Sequence, residues 1–198
     1  MKKWLVPVLI IGAILLGIYL LFVGKYNTAV ERQENAETAW SQVESAYQRR
    51  SDLIPNLVNT VRGAADFERE TLTDVIEARA QATSVNVDAN NITQDQLQQF
   101  QQAQGQVSSA LSRLLVTVER YPELRATQNF QQLQSQLEGT ENRINVERNR
   151  YNEQIREYNT YIRKFPNNVI VGMYGFDEMP LFEGDPGSEN APDVEFDF

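Results

Sequence analysis

Residues 4–23, WLVPVLIIGAILLGIYLLFV, form an uncharged and almost wholly apolar stretch. As an α-helix that rises about 1.5 Å per residue, this stretch is about 30 Å long, which matches the hydrocarbon core of a bilayer. Most of its residues are Leu, Ile, Val or Phe, and each favours insertion by roughly 0.3–0.6 kcal/mol near the bilayer centre. The chain is therefore predicted to have one N-terminal membrane span and one extramembrane domain.

A cleaved signal peptide is the alternative interpretation of the apolar stretch. It would have a shorter apolar core and a cleavage site of small residues. Residues 24–27, GKYN, offer no clear Ala-x-Ala site, so a retained anchor is favoured. Lys2 and Lys3 precede the span, whereas Lys25 and Arg32 follow it. Together with the amino terminus, this distribution slightly favours a cytoplasmic N-terminus and a domain outside the cytoplasm.

The composition argues against most classes of active site. The formal net charge is −9, which disfavours a nucleic-acid partner. The chain has no Cys and no His, so thiol nucleophiles, imidazole bases and zinc–thiolate sites are excluded. Motifs of serine hydrolases, P-loops, dinucleotide sites and EF-hands are also missing. We expect no catalytic residues, cofactor, metal or small-molecule substrate, and a carboxylate-dependent enzyme remains a minority alternative.

A heptad pattern in the last long segment predicts a helix that packs in a bundle. Its apolar and aromatic residues recur every seven positions, at Phe130, Leu137, Ile144, Tyr151, Tyr158 and Phe165. Similar three- and four-residue spacings predict helices over residues 26–47, 53–79 and 97–121. The fold class predicted is all-α, with one transmembrane helix, an antiparallel up-and-down four-helix bundle of long helices and an irregular acidic C-terminal tail.

Local signals place the helix ends. Arg50–Asp52 is predicted as a tight corner, with Asp52 as an N-cap and Pro55 in the first turn of the second helix. Residues 93–96, TQDQ, fit a capping box at the start of the third helix, and Tyr121-Pro122 would stop that helix. Thr127 or Asn129 would cap the fourth. The predicted domains are residues 1–25 (anchor), 26–166 (bundle) and 167–198 (apolar membrane-proximal segment and acidic tail).

The C-terminal region changes character twice. Residues 169–176 are apolar and aromatic, and we expect them to pack under the bundle or to lie at the membrane interface. Residues 177–198 contain many Asp and Glu residues and no basic residue, which is typical of a solvated tail. The alternative is an extended segment that docks into a groove, because apolar residues are interspersed at Met179, Leu181, Phe182, Val194, Phe196 and Phe198.

Specific motifs are spread along nearly the whole chain, and together they resemble the LemA family. They include Tyr26-Asn27, Trp40, residues 49–58 (RRSDLIPNLV), Tyr121-Pro122, Tyr151-Asn152, Tyr158-Asn159, Phe165-Pro166 and residues 192–198. The resemblance implies a bacterial membrane protein with one N-terminal span and an antiparallel helical bundle. It implies no established enzymatic activity and no catalytic residues, and a related protein is linked to magnetosome membrane formation.

Several motif residues are candidates for a structural or interaction role. Arg49, Arg50 and Asp52 are predicted to form an ion-pair corner, with a partner site as the alternative. Asn56, Thr140 and Glu141 lie near predicted core positions and would specify the register of the bundle. The rings of Tyr151 and Tyr158 would fill the core while their hydroxyls bond to groups such as neighbouring Asn side chains. The candidate set is Arg49, Arg50, Asp52, Pro55, Asn56, Tyr151, Tyr158, Phe196 and Phe198.

These features predict a non-enzymatic, membrane-anchored scaffold or adaptor of the bacterial envelope, held in the cytoplasmic (inner) membrane by a single span. Its expected partners are the membrane and other membrane or envelope proteins, or further copies of itself. The alternative is a self-assembling protein that organises or shapes membrane, because Ala13 and Gly17 could let two anchors pack.

Overall fold

The computed structural model describes residues 4–63, 68–89 and 91–184, and all regular structure in these ranges is helical. The six helices are α1 (Leu5–Arg62), α2 (Arg69–Ser84), α3 (Gln94–Val118), α4 (Pro122–Arg125), α5 (Gln128–Arg163) and α6 (Asn167–Gly172). Phe196, Phe198 and most of the acidic tail lie outside the described residues.

Helix α1 is one continuous helix of 58 residues, so the predicted corner at Arg50–Asp52 is wrong. Pro55 lies inside this helix rather than in the first turn of a second one, and the prediction of one helix over residues 53–79 is wrong, because α1 ends at Arg62 and α2 begins at Arg69. The helix continues because Leu57, Val58 and Val61 extend its buried face beyond the proline. Pro55 has no N–H to donate to the carbonyl oxygen of Ser51, and Arg79 Nε of α2 donates to this oxygen instead, at 2.8 Å. A side chain from a neighbouring helix thus replaces the missing backbone bond.

The ends of α3 and α5 follow their predicted signals. Thr93 and Gln96 form the capping box at the start of α3, which confirms that prediction. Tyr121 accordingly separates α3 from α4, which begins at Pro122. The side chain of Thr127 accepts a bond from the Phe130 N–H and caps α5.

Helix α5 runs antiparallel to α1 along most of its length. Contacts that join the two helices show the direction, because the partner in α5 moves backwards as α1 advances: Tyr161 bonds to Lys25, Glu157 to Arg32 and Glu141 to Arg50. The heptad residues of α5 are buried from Phe130 to Tyr158. The pattern fails at Phe165, which is 83% exposed, because α5 ends at Arg163 and Lys164 has an extended backbone.

Buried side chains form three hydrophobic clusters along the helices. The cluster farthest from the apolar N-terminal segment is shared by α1, α2, α3, α4 and α5. The middle cluster surrounds Trp40 and joins α1, α3 and α5 to Phe182. The third lies near the apolar segment and includes Ala29, Tyr158, Ile162 and Val171. α1 and α5 are therefore the common frame of the extramembrane domain.

The apolar part of α1 contributes nothing to these clusters. Its side chains from Trp4 to Leu21 are exposed to the surroundings, and within the described chain this is the one helix long and apolar enough to cross a membrane. A cis Phe165–Pro166 peptide leads into α6, where Ile170 and Val171 are buried. The C-terminal end of α5 and α6 therefore lie at the end of the domain nearest to the apolar segment, as Tyr161 OH shows by donating to Lys25 O at 2.9 Å.

Candidate interaction groove

Residues 177–184, here named the strap, form an extended segment that lies along α5, and its last residues enter a groove between α3 and α5. The groove floor is α1, whose Trp40 contacts the strap residue Phe182. The strap runs antiparallel to α5, because Asp177 bonds near the C-terminal end of that helix and Glu183 contacts Arg148, farther back along it. Of the two alternatives for the acidic tail, this described part follows the docked, extended one.

Two asparagines of α5 bind the strap backbone in the same way. Asn159 accepts the Met179 N–H at 3.0 Å and donates Nδ2 to the Met179 carbonyl at 2.8 Å. Asn152 does the same to Phe182, at 2.8 and 3.1 Å. A side-chain amide supplies one donor and one acceptor, so each Asn imitates a neighbouring β-strand. These bonds hold a backbone and require no particular side chain.

The tyrosines that precede these asparagines bind the same segment. Tyr158 OH donates to the Asp177 carbonyl and Tyr151 OH donates to the Pro180 carbonyl, each at 3.0 Å. Both rings are buried among α1 and α5. The prediction that the rings fill the core is confirmed, whereas the expected hydroxyl partners, neighbouring Asn side chains, are wrong. The Asn side chains and the tyrosine hydroxyls instead bond to the same segment, the strap.

The repeat of the Tyr-Asn pair matches the rise of an extended chain. Asn152 and Asn159 are seven residues apart, which is about 10.5 Å along a helix. Met179 and Phe182 are three residues apart, which is about 10 Å in an extended chain. The tyrosine partners Asp177 and Pro180 have the same three-residue spacing. Two helical turns therefore coincide with three strap residues, and the pair can bind the strap twice without strain.

Phe182 anchors the strap in an aromatic pocket. Its ring stacks on Trp40 at 5.9 Å between centroids and meets the edge of Tyr151 at 5.3 Å. The guanidinium of Arg148 lies over the same ring, at 5.1 Å from its centroid. Phe182 is 4% exposed, whereas Met179 and Leu181 are only partly buried against the same cluster, so Phe182 is the most deeply buried apolar side chain of the strap.

The end of the strap meets polar groups from both walls. Arg148 Nη2 and Gln101 Nε2 donate to the Glu183 carbonyl at 3.0 and 3.2 Å, and Gln94 donates to the Glu183 carboxylate. Gln101 and Arg148 also line a cavity of about 340 Å³ that continues between α3 and α5. The groove thus extends past the last described strap residues.

The groove changes the acid–base behaviour of its tyrosines. Burial raises the pKa of Tyr158 to about 12, with smaller contributions from the negative charges of Asp177 and Glu37. Burial also raises the pKa of Tyr151 well above its usual value of 10. Both hydroxyls therefore stay protonated and able to donate to the strap up to a higher pH than an exposed tyrosine does.

A buried arginine closes the cavity on its inner side. Arg50 is 3% exposed, and its guanidinium donates to Glu141 at 2.8 Å, to Ser108 at 2.7 Å and to the side chain of Gln104 at 2.7 Å. The guanidinium also lies over the Tyr47 ring. One side chain of α1 thereby joins α3 to α5 across the groove.

The remaining predicted residues do not join this cluster. Arg49 and Asp52 are exposed, and Asp52 accepts a bond from Gln48, so the expected ion-pair corner of Arg49, Arg50 and Asp52 is wrong. Arg50 is one residue after Arg49 and two before Asp52, so a continuous helix turns it away from both, and its carboxylate partner is Glu141 of α5. Asn56 is exposed rather than near the core, whereas Thr140 is buried and bonds to the Gln136 carbonyl.

The predicted candidate set lacks four kinds of groove contact, made by Gln94, Gln101, Arg148 and the two amides of Asn152 and Asn159, although both asparagines were named in the Tyr-Asn motifs. The available signal was the repeat of Tyr-Asn at a seven-residue spacing, which places both amides on one face beside the tyrosines. Among the described residues, no group of three or more Asp, Glu, His or Cys side chains is placed to hold a metal ion.

The fold and the groove define a class of protein: an all-helical protein with one apolar N-terminal helix that holds an extended segment of its own chain along α5. The model of the LemA family matches residues 39–196. The chain therefore belongs to the LemA family.

Curated relatives agree with this assignment. The chain is 23% identical over 151 residues to Protein LemA of Metamycoplasma hominis, covering 76% of this chain and 62% of the relative. It is 26% identical over 184 residues to the magnetosome proteins MamQ 1 and MamQ 2 of Paramagnetospirillum magneticum, covering 83% of this chain and 67% of each. The chain thus spans about three fifths to two thirds of these relatives. With the apolar helix, they indicate a single-pass membrane protein, and the family is consistent with a membrane-associated, non-enzymatic role.

Proposed function

We propose that this protein is a non-enzymatic adaptor of the bacterial envelope, anchored by α1 in the cytoplasmic membrane, with a four-helix domain outside the cytoplasm. The domain uses the groove between α3 and α5 to hold an extended segment of another membrane or envelope protein. The observation that carries this proposal is the docking of the strap by paired Tyr and Asn side chains.

The chemistry of the groove supports exchange of its occupant. The Asn152 and Asn159 amides and the Tyr151 and Tyr158 hydroxyls form hydrogen bonds only with backbone atoms of the strap, and an extended segment of another protein presents the same groups. Specificity would come from the pocket of Phe182, which fits an aromatic residue. The cavity beyond Glu183 gives such a segment room to continue.

Position-specific photo-crosslinking in living cells tests the adaptor. We would place a photoreactive phenylalanine analogue at Gln101, which lines the cavity, and at Val116 as the control, an exposed position on the same helix away from the strap. We expect one defined envelope protein to be captured at position 101, more strongly when Phe182→Ala weakens the strap, and not at position 116. Capture of residues 177–198 of the same chain alone would refute the groove as a partner site.

The magnetosome names of two relatives favour a second candidate function, in which the protein organises membrane by assembling with itself. In that case the groove holds the strap of a neighbouring copy. The same crosslinking distinguishes the two candidates, because self-assembly gives products at the mass of the dimer and above from position 101.

A further inference from the structure

Four hydrophobic side chains that follow α5 remain exposed at the end of the domain nearest to the apolar span. The exposed fractions are 83% for Phe165, 56% for Val169, 75% for Met173 and 59% for Tyr174. We call this patch the foot. Its neighbours Ile170 and Val171 are buried, which fixes α6 against the domain.

The position of the foot relative to the span follows from two contacts. Tyr26 packs edge-on against Tyr174 with 4.9 Å between ring centroids, and Tyr161 OH bonds to the Lys25 carbonyl. Tyr26 lies three residues beyond Val23, the last residue of the apolar stretch, which is about 4.5 Å along the helix. The interfacial region of one leaflet is about 5–7 Å thick. Tyr174 is therefore held at the depth of the lipid headgroups when residues 4–23 cross the bilayer.

Two of the chain's lysines, Lys25 and Lys164, lie at the same end of the span as the foot. The sequence has only four, at positions 2, 3, 25 and 164, and all other basic residues are Arg. The first two precede the span, Lys25 follows it, and Lys164 is exposed beside Phe165. Lysine bears its charge on a flexible apolar stem that reaches headgroups from an interfacial position. In a chain of net charge −9, this places positive charge next to the foot.

We propose that the foot is a second membrane contact, in which Phe165, Val169, Met173 and Tyr174 enter the interface of the bilayer while Lys25 and Lys164 bind anionic lipid headgroups. A single span leaves a domain free to tilt and rotate, and a second contact removes that freedom. The foot would hold the long axis of α1 and α5 at a fixed angle to the membrane. Because aromatic and apolar residues with lysines are the composition that interfaces favour, the occupant is lipid.

Depth-dependent quenching of a fluorophore tests the contact in the full-length protein. The chain has no Cys, so Met173→Cys gives a single labelling site, and Val116→Cys is the matched control on α3. Each variant is labelled with an environment-sensitive dye and reconstituted into phosphatidylcholine vesicles with or without phosphatidylglycerol. Lipids with a nitroxide near the headgroup serve as the quencher.

We expect strong quenching and a blue-shifted emission at position 173 and neither at position 116. Adding Phe165→Asp and Val169→Asp to the labelled Met173→Cys variant should remove most of the quenching. Equal quenching at positions 173 and 116 would overturn the foot. We also expect Lys25→Gln with Lys164→Gln to weaken quenching in vesicles with phosphatidylglycerol, and no change would overturn the role of the lysines.

Discussion

Removal of the Phe182 ring should release the strap and leave the helices folded. The ring is 4% exposed and contacts Trp40, Tyr151 and Arg148. Truncation of a buried Phe to Ala costs about 3–5 kcal/mol, and we take about 3 kcal/mol because the strap can relax over the site. This free-energy loss affects the equilibrium between the docked and the released state of residues 177–184. Since each 1.4 kcal/mol is a factor of ten, the ratio of docked to released strap falls by about 100-fold.

Amide hydrogen exchange measures this loss directly in the full chain in lipid nanodiscs. In the parent protein the N–H groups of Met179 and Phe182 donate to Asn side chains and are protected. In Phe182→Ala their exchange should be faster by about 100-fold or up to the unprotected rate, while the amides of α1 and α5 keep their protection.

The matched control makes the same change in the core. Phe130→Ala removes an equally buried ring from the cluster shared by α1 to α5, which has no strap residue. This variant should lower the protection of the helices around that cluster. If Phe182→Ala instead lowers protection throughout α1 and α5, the strap is part of the cooperative core. If protection of the strap is unchanged, Phe182 does not anchor it, and the reasoning fails.

Three further predictions concern the frame around the groove. Arg50→Ala should lower the free energy of unfolding in urea by about 3 kcal/mol. This is the low end of the range for a broken buried ion pair, because water still reaches Glu141. The control, Arg49→Ala at an exposed position, should change this free energy by less than about 0.5 kcal/mol. Arg79→Met should lower the free energy of unfolding by about 1–3 kcal/mol, because it leaves the Ser51 carbonyl unpaired. The loss should be smaller in a Pro55→Ala background, where the backbone N–H of residue 55 can replace Arg79. Equal losses in both backgrounds would contradict this account. The pKa of Tyr158 is raised to about 12, so the folded state keeps a proton that the unfolded state loses above pH 10. The contribution of Tyr158 to the free energy of unfolding should therefore be complete below pH 10 and should be lost between pH 10 and 12. The urea midpoint should fall less over that range in Tyr151→Phe/Tyr158→Phe than in the parent protein.

Periodicity predicted most of the helical structure. The heptad residues of α5, the capping box of α3 and the stop at Tyr121-Pro122 are local signals, and the structure has each of them. The corner at Arg50–Asp52 failed for a reason that is not local. An N-cap residue followed by proline is a sound signal for a helix start, but here Arg79 from another helix satisfies the carbonyl that proline leaves free.

The groove was partly accessible to sequence reasoning. Tyr151 and Tyr158 were identified from their spacing, yet their hydroxyl partners lie in a segment whose composition is typical of a solvated tail. Docking depends on a match between seven helical residues and three extended ones, and only knowledge of the strap direction makes that match visible. Likewise Arg50 and Glu141 are 91 positions apart, and no local pattern pairs them.

Helix α5 connects the two surfaces that we assign to recognition. Its last turns hold Lys25 through Tyr161, and the strap begins directly after Phe176, whose ring packs on Tyr26 beside the foot. The same helix then binds the strap at Tyr158, Asn159, Tyr151 and Asn152 in turn. The strap therefore starts beside the foot and ends at the mouth of the cavity. Because its first residues lie beside the foot, we expect a partner that occupies the Phe182 pocket to release the distal part of the strap and to leave the proposed membrane contact in place.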